Sequence, residues 1–591
     1  MFSKVLVANR GEIAIRVVRT LREMGIASIA VYSEADREAL HVRRADEAFL
    51  LGPGPAAESY LKIDKLIQVA QEAGAEAIHP GYGFLAENPN LARACDDAGI
   101  VWIGPPARAI EAMGSKTGAR EIMKKAGIPI IPGTTEPVPD VDAARSIIDE
   151  SIGYPVAIKA VGGGGGKGFR VAMNGDELQA AFEGASREGE KFFGDPTVYI
   201  ERYLPDPRHV ELQVLADAHG NVIHLGERDC SLQRRHQKLI EESPAPAVSD
   251  ELRAKIGQIA ADAAKAVDYR SAGTFEGLLQ DEEWFFMEMN TRVQVEHCVT
   301  EMVTGVDIVR EQILIAAGEP LSLSQKDVRF YGHAIECRIN AEDASKNFAP
   351  APGTITSYRE PAGAGVRMDS GVEAGAEITP LYDPMVAKLI VWDVDRDHAT
   401  RRAIRALDEL EVSGVRTLIP FHRAILATQQ WANAETCRDL IEDRDWLKTL
   451  AQPKPKAPPE GEEEAEKVER KYAVEVSGKL FEVKVIGEAF AGAVANGAAA
   501  TPAAKKPKRR ERGGGSGGVS ADGRLISPLQ GTVLKVNVET GAQVEAGALI
   551  CVIEAMKMEN EITAPAGGTV EELGVSEGAA ISTGDTIAVI K

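Results

Sequence analysis

Residues 284–297 read WFFMEMNTRVQVEH, and their polar members fall on one parity: Glu288, Asn290, Arg292, Gln294 and Glu296. Met287, Met289, Val293 and Val295 fall on the other. In a strand, this period of two puts the polar set on one face and the apolar set against a core. A half-exposed strand with a solvated face is the ordinary reading of such alternation. Two carboxylates, a lone arginine and an amide between charges make this face unusual. Fully extended, Glu288 and Glu296 would stand about 26 Å apart, too far to share one metal ion. Either the strand bends or the two carboxylates do different jobs. Glu288 and Asn290 are close enough to share a hard cation, which takes oxygen ligands and leaves room for phosphate. Arg292 can then hold an anion, and Glu296 can take a proton.

Other elements must position this face. Residues 273–277 read GTFEG and lead into it, with Glu276 twelve residues before Glu288. Two adjacent antiparallel strands would set both carboxylates side by side on one or two Mg²⁺. Residues 198–204 and 209–215 read as strands, and in the second His209, Glu211 and Gln213 share a face. Residues 226–238 have little apolar content and mixed charge, which fits a solvated surface loop. Residues 155–160 and 169–173 are strands around Gly162-Gly163-Gly164-Gly165-Gly166-Lys167-Gly168. Five consecutive glycines maximise the entropy lost on ordering, which makes sense where backbone must approach a ligand closely. Backbone N–H groups there can wrap phosphate. No Gly-Lys-Ser/Thr opens a helix, so the stretch reads as a closing lid rather than a Walker A loop.

Upstream, residues 4–9 form a strand, an amphipathic helix follows, and residues 26–32 form a second strand. That is a βαβ start and predicts a parallel sheet. It lacks GxGxxG, so it predicts no dinucleotide site. Residues 77–84, AIHPGYGF, make a loop at a strand end, where His79 and Tyr82 fit an ordinary turn. Residues 107–125 read as helical and carry Lys116. Residues 331–450 mix strands (333–339, 389–394) with a helix (398–410) and carry Arg338, Tyr382 and Asp383.

Composition then shifts. Residues 453–469 are Pro/Glu-rich and residues 501–518 run from Ala/Lys/Arg to Gly/Ser, both linker-like. Between them, residues 472–486 alternate as a small hairpin, which needs a partner to be stable. Residues 531–554 match residues 568–591 at an offset of 37, with ten identities in 24 positions. So short a repeat predicts two interleaved halves of one β sandwich rather than a solenoid. Glu554-Ala555-Met556-Lys557-Met558-Glu559 lies between the halves, on an expected hairpin tip. Two flanking methionines on that tip set Lys557 apart from an ordinary exposed lysine.

The net charge of −22 argues against a general nucleic-acid binder. Six scattered cysteines without CxxC favour a reducing compartment and argue against structural zinc. No 18-residue apolar run predicts a membrane span, and residues 1–9 read directly as a strand rather than a leader. The expectation is a cytoplasmic protein.

These stretches together resemble the biotin-dependent carboxylases. FMEMNTRVQVEH, HPGYGFLAEN, the glycine lid and AMKM stand in this chain as they do in that family. The resemblance implies an α/β fold: a pre-ATP-grasp parallel sheet (1–114), an α+β ATP-grasp domain with the lid (115–325) and a C-terminal carboxylase domain (331–447). A linker with the hairpin (448–521) and an all-β, flattened-barrel biotinyl domain (522–591) follow. It implies that Lys116, Lys159, Gly165, Gly166, Glu201 to Leu204, His209, Gln233 and His236 contact ATP, with Glu276 and Glu288 also at the nucleotide. Glu276, Glu288 and Asn290 would hold Mg²⁺ or Mn²⁺. Lys238, Arg292, Gln294 and Val295 would cradle bicarbonate, and Glu296 would be the general base. Tyr82 and Arg338 would face biotin, covalently attached at Lys557. Lys238, Arg292, Glu296 and Arg338 form the implied catalytic set. Arg202 stands where the family more often has Lys.

The nearest resemblance is to fused α subunits of acyl-CoA carboxylases, enzymes of fatty acid biosynthesis acting on acetyl- or propionyl-CoA. It implies a separate carboxyltransferase β subunit, a biotin protein ligase and a homo-oligomer within a larger α/β complex. Two alternatives are a pyruvate carboxylase, for which no sequence remains to build a carboxyltransferase barrel, and a binding module with a degenerate ATP site.

Overall fold

The computed structural model describes residues 1–114, 116–134, 136–161, 168–452, 468–476, 479–487, 524–527, 531–555, 558–581 and 585–591. Its first sheet is parallel throughout, in the spatial order Glu47–Gly52, Ala27–Ser33, Lys4–Val7, Ala77–His79, Val101–Trp102. Near-continuous apolar runs such as KVLV suit strands covered on both faces. Val5 and Val7 pack with Ile13, Val17 and Leu21 of the helix Gly11–Glu23, while Leu6 and Ile29 enter a separate core. His79 is fully buried and its Nδ1 accepts from the Gly81 amide at 3.0 Å, the ordinary turn expected of it.

An eight-stranded antiparallel sheet carries most of the chemistry. Its order is Glu283–Asn290, Ser271–Gln280, Arg208–Ala216, Val222–Arg234, Gln237–Ser243, His333–Asn340, Met385–Asp393, Val366–Ser370. The pairing of Gln237–Ser243 with His333–Asn340 carries the sheet unbroken from strands before residue 290 to strands after residue 333. Residues about a hundred positions apart thereby become cross-strand neighbours.

Two expectations change here. Residues 226–238 are not a surface loop. They belong to two paired strands, with Arg235 (φ +46°) and His236 (φ +66°) turning the chain between them. Their charges are buried because partners await them: Arg228 meets Glu211 at 2.5 Å, and Asp229 meets Arg208 at 2.9 Å. A buried charge is tolerable when paired and hydrogen-bonded, so low apolar content did not mean solvent. The stretch 284–297 is likewise not one strand. It leaves the sheet at Asn290, and Glu296 sits at the N-cap position of the helix His297–Thr304. The chain bends, and the extended separation of Glu288 from Glu296 does not apply. Tight packing under the strand demands glycine at 277, since a Cβ there would collide with the Trp284 indole. That indole donates to the Val210 carbonyl at 2.9 Å.

Val156–Ala160 pairs with Phe169–Ala172 and with Val198–Arg202 in a three-stranded sheet. The glycines between the first two, Gly165 and Gly166 among them, lie outside the described residues. In the C-terminal region two four-stranded sheets form. Gly531–Val536 and Leu549–Ala555 pair in one, while their repeat equivalents Gly568–Leu573 and Thr586–Ile590 pair in the other. The interleaved sandwich expected from the repeat is therefore present. Leu549–Ala555 and Met558–Thr563 form the expected hairpin, and Lys557 at its tip lies outside the described residues. Val468–Val476 and Lys479–Gly487 pair as the hairpin expected at 472–486. Among the described residues no helix is long and apolar enough to cross a membrane.

Candidate active site

Strand register builds the site. Glu288 is opposite Glu276, Glu276 is opposite Glu211, and Glu211 is opposite Arg228. Four charged residues from four neighbouring strands thus form one row. Lys238, on the fifth strand, reaches back across it. Its Nζ donates to Glu211 Oε2 at 2.6 Å, Glu276 Oε1 at 2.9 Å and Glu296 Oε1 at 2.5 Å. Glu276 Oε1 also accepts from Asn290 Nδ2 at 2.7 Å and Gln294 Nε2 at 2.5 Å. Arg338 donates through Nε to Glu241 Oε1 at 2.6 Å, and its Nη2 reaches Glu296 Oε2 at 2.9 Å. His209 Nε2 stands 3.1 Å from Glu276 Oε2, at ion-pair distance without hydrogen-bond alignment.

The electrostatics follow from burial and partners. Burial alone would raise the Glu296 carboxyl, but Lys238, Arg338 and Arg228 outweigh it and hold the group well below the usual range. Glu276 is likewise driven down, against its burial, by Lys238 and His209. Burial would lower the Lys238 ammonium, yet Glu211, Glu276 and Glu296 raise it well above its ordinary value. His209 is raised by Glu276 despite a desolvation that lowers it. Lys238 is therefore a fixed positive charge and not a base. The oxygen-only pair Glu276 and Glu288 fits Mg²⁺ or Mn²⁺, which prefer carboxylates and phosphates over nitrogen or sulfur.

The remaining expected residues divide. Arg292 is tied to the cluster through Asn290 Oδ1 (2.9 Å) and is braced by Glu87 Oε2 (3.0 Å). Gln233 lies 3.4 Å from His209 Nδ1, and the Val295 carbonyl accepts from Lys388 Nζ at 2.7 Å. Lys159 and Glu201 pair with each other, and Arg120 holds the second Glu201 oxygen at 2.6 Å. The Glu201 carboxylate is thus occupied, so a nucleotide contact there would use the main chain. Arg202 stacks over Phe285 at 4.9 Å and pairs with Glu283 at 3.1 Å. Leu204 is buried, His236 is exposed on its turn, and Tyr82 is half-buried with its ring 6.0 Å from Lys388 Nζ. Lys116 opens the helix Lys116–Lys125, and its side chain lies outside the described residues.

Sequence reasoning missed Arg228, Glu87 and Glu241 and left Glu211 without a role. Arg228 is completely buried, and its guanidinium reaches Glu211, Gln213, Thr300, Thr274 and Gln294. The signal for Glu211 was its parity with His209 and Gln213. For the others, long-range pairing was required.

Comparison with known proteins gives the family. Residues 1–110 match the biotin carboxylase N-terminal domain, and residues 336–443 match the biotin carboxylase C-terminal domain. Residues 115–324 match the ATP-binding domain of the carbamoyl-phosphate synthase L chain, and residues 524–590 match the biotin-requiring enzyme family. The biotin-dependent acyl-coenzyme A carboxylase alpha3 subunit of Mycobacterium leprae is 48% identical over 568 residues, covering 95% of this chain and 94% of that protein. The chain belongs to the biotin carboxylase family. It joins a biotin carboxylase to a biotinyl domain, and it is an ATP-dependent carboxylase, a ligase, using biotin, Mg²⁺ and ATP. A pyruvate carboxylase subunit of Methanothermobacter thermautotrophicus is 56% identical over 443 residues, covering 75% of this chain and 90% of that protein. The biotin carboxylase domain of Hydrogenobacter thermophilus 2-oxoglutarate carboxylase was solved as a dimer with MgADP, ADP and bicarbonate. It superposes with a TM-score of 0.69 at 49% identity, covering 76% of this chain and 99% of that one.

Proposed function

We propose that the protein is the α subunit of an acyl-CoA carboxylase, which carboxylates biotin attached to Lys557 for transfer to acetyl- or propionyl-CoA by a separate carboxyltransferase β subunit. The relative that is similar across carboxylase and biotinyl regions alike, an acyl-CoA carboxylase subunit, supports this over the pyruvate and 2-oxoglutarate enzymes, which align over the carboxylase region. Six buried, free cysteines support a reducing, cytoplasmic setting. A biotin protein ligase would modify Lys557, and carboxylase regions would pair as homo-oligomers within a larger α/β complex.

The observation that carries the reading is a single ammonium, Lys238, held by three carboxylates from three different elements. Bicarbonate is a poor electrophile, and phosphorylation by ATP to carboxyphosphate activates it. Phosphoryl transfer of this kind needs alignment and charge neutralisation more than covalent chemistry. Lys116, Lys159, His209, Gln233 and His236 would hold the nucleotide, with Glu201 to Leu204 contributing along the strand edge. Glu276, Glu288 and Asn290 would hold Mg²⁺ or Mn²⁺, which supplies charge neutralisation at the phosphates. Lys238, Arg292, Gln294 and the Val295 main chain would take bicarbonate. In the ligand-free arrangement Glu296 accepts from both Lys238 and Arg338 and is a weak base. Bicarbonate drawing those donors to itself would return basicity to Glu296, which then removes the bicarbonate proton. Arg338 would steady the negative charge developing on the ureido oxygen of biotin, beside Tyr82. The glycine lid, closing, would keep water from the labile acyl phosphate.

Two assays test this. Bicarbonate-dependent ATP cleavage stimulated by free biotin is expected, and a degenerate binding module would show neither dependence. Co-purification with the β subunit, followed by assays on acetyl-, propionyl- and longer acyl-CoA, decides the acyl specificity. Glu288→Gln is expected to lower ATP cleavage roughly a hundredfold, as when one charge-stabilising group is lost. Wild-type turnover in that variant at saturating Mg²⁺ would remove Glu288 from the metal site.

A further inference from the structure

We propose that Glu241, backed by Glu336, is the residue that positions Arg338 for the carboxylation step, an inference that rests on the role given above to Arg338. Glu241 and Glu336 are cross-strand partners where the ATP-binding region joins the C-terminal region, and both are completely buried. Arg338 follows Glu336 by two positions on the same strand, so period two puts all three side chains on one face of the sheet. Arg338 Nε donates to Glu241 Oε1 at 2.6 Å, and Nη2 stands 2.5 Å from the same oxygen and 2.9 Å from Glu296 Oε2. One edge of the guanidinium is thereby fixed by Glu241, and a planar fork fixed along one edge has a defined direction. The group it is shared with is the base itself.

Two observations separate this from an ordinary buried ion pair. Neither carboxyl oxygen of Glu336 has a hydrogen-bond partner, and neither does Glu241 Oε2, although all three atoms are buried. Two buried carboxyls with unpaired oxygens on adjacent strands are stable only if they do not both ionise. The charged and titratable groups acting on Glu336 include Lys388 from the neighbouring strand Met385–Asp393, Glu241, Arg338, Glu296, Cys298 and Cys337. Burial dominates and raises Glu336 well above the carboxylate range, while Glu241, also raised by burial but countered by Arg338, stands at about 7. Glu241, whose Oε1 meets two nitrogens of Arg338, is the member that carries the charge, and Glu336, with no partner on either oxygen, is the neutral one. The second observation is that Arg338 is one of the cations that hold Glu296 down. Without Glu241, Arg338 would be released to engage Glu296 through two nitrogens, and such a bidentate pair would keep the base too weak to accept a proton.

The test uses the full chain with ATP, bicarbonate and free biotin, measuring kcat, each KM and melting temperature. Glu241→Gln is expected to lower kcat for biotin carboxylation about tenfold to a hundredfold, the range for losing a supporting partner of a working group. The KM for ATP should stay within about twofold, because nothing that holds the nucleotide has moved. Glu336→Gln keeps an uncharged side chain beside Glu241 and should cost less kcat than Glu241→Gln. Adding Glu241→Gln to Arg338→Gln should cost nothing further, as expected of residues acting through one another. Should Glu241→Gln fail to fold, Glu241→Asp withdraws the carboxylate from Arg338 while keeping its charge and should show the same loss of kcat. Unchanged kcat with a lowered melting temperature, an additive double variant, or a Glu336→Gln as damaged as Glu241→Gln would overturn the proposal. If Arg338→Gln itself carboxylates biotin at the wild-type rate, the role of Arg338 falls as well. If Arg338→Gln is damaged and Glu241→Gln is not, only the positioning role falls.

Discussion

Replacing Lys557 with alanine should abolish carboxylation of acyl-CoA in the presence of the β subunit while leaving carboxylation of free biotin at the wild-type rate. Intact-protein mass should show one biotin on the wild type and none on the variant. An unmodified lysine has no chemistry with activated bicarbonate here, so the coupled reaction depends wholly on the tethered cofactor. The residues assigned above to the carboxylase site all precede residue 339, and the repeat around position 557 begins at Gly531 with a sheet pairing of its own. Loss of the tether therefore leaves that site intact. The linking arm of about 70 residues has an r.m.s. span of roughly 45 Å if flexible, enough to serve sites tens of ångströms apart. The arm must span the two sites for the tethered biotin to reach both, so deleting its glycine-rich residues 513–518 should slow only the coupled reaction. Equal slowing of free-biotin carboxylation by that deletion would contradict the swinging arm.

Glu296→Ala should keep ATP affinity within a few-fold while biotin carboxylation collapses by about two to four orders of magnitude, the usual contribution of a positioned base. Glu296 accepts from Lys238 and Arg338, and neither belongs to the residues assigned to the nucleotide. A base acts in the chemical step rather than in nucleotide binding. If ATP affinity falls as far as the rate, Glu296 is a ligand and the base lies elsewhere. The pH dependence has a definite sign. Because the cations hold Glu296 well below the usual carboxylate range, its contribution to stability is present above the ordinary glutamate pKa. It is lost only as pH falls through the depressed value. An acid limb of activity at higher pH must then come from another group or from the substrate-loaded site.

The parallel sheet and the C-terminal sandwich were legible because each rests on local pattern: apolar runs with an intervening helix in one, a 37-residue offset in the other. Glu276 beside Glu288 was legible for the same reason, since a short hairpin connects them. What local pattern cannot show is which distant strands adjoin. Residues 226–238 looked solvated because Arg228 and Asp229 find their partners, Glu211 and Arg208, on a neighbouring strand. Glu241 gains meaning only beside Glu336 and Arg338, about a hundred residues later. The extended separation of Glu288 and Glu296 raised a bend as one alternative, but its place after Asn290 was not legible, because alternation persists through it; the bend is what lets Lys238 join Glu296 to Glu276.

The central claim is that the Lys238 cluster activates bicarbonate by phosphorylation. Bicarbonate labelled with heavy oxygen tests it most directly. Attack by a bicarbonate oxygen on the γ-phosphorus forms a P–O bond that survives when the acyl phosphate later breaks at carbon. The account predicts that inorganic phosphate released in the presence of biotin carries one labelled oxygen per turnover, and that Glu296→Ala releases almost none. Phosphate released at the full rate without label would mean that water takes the phosphoryl group, and it would contradict the account.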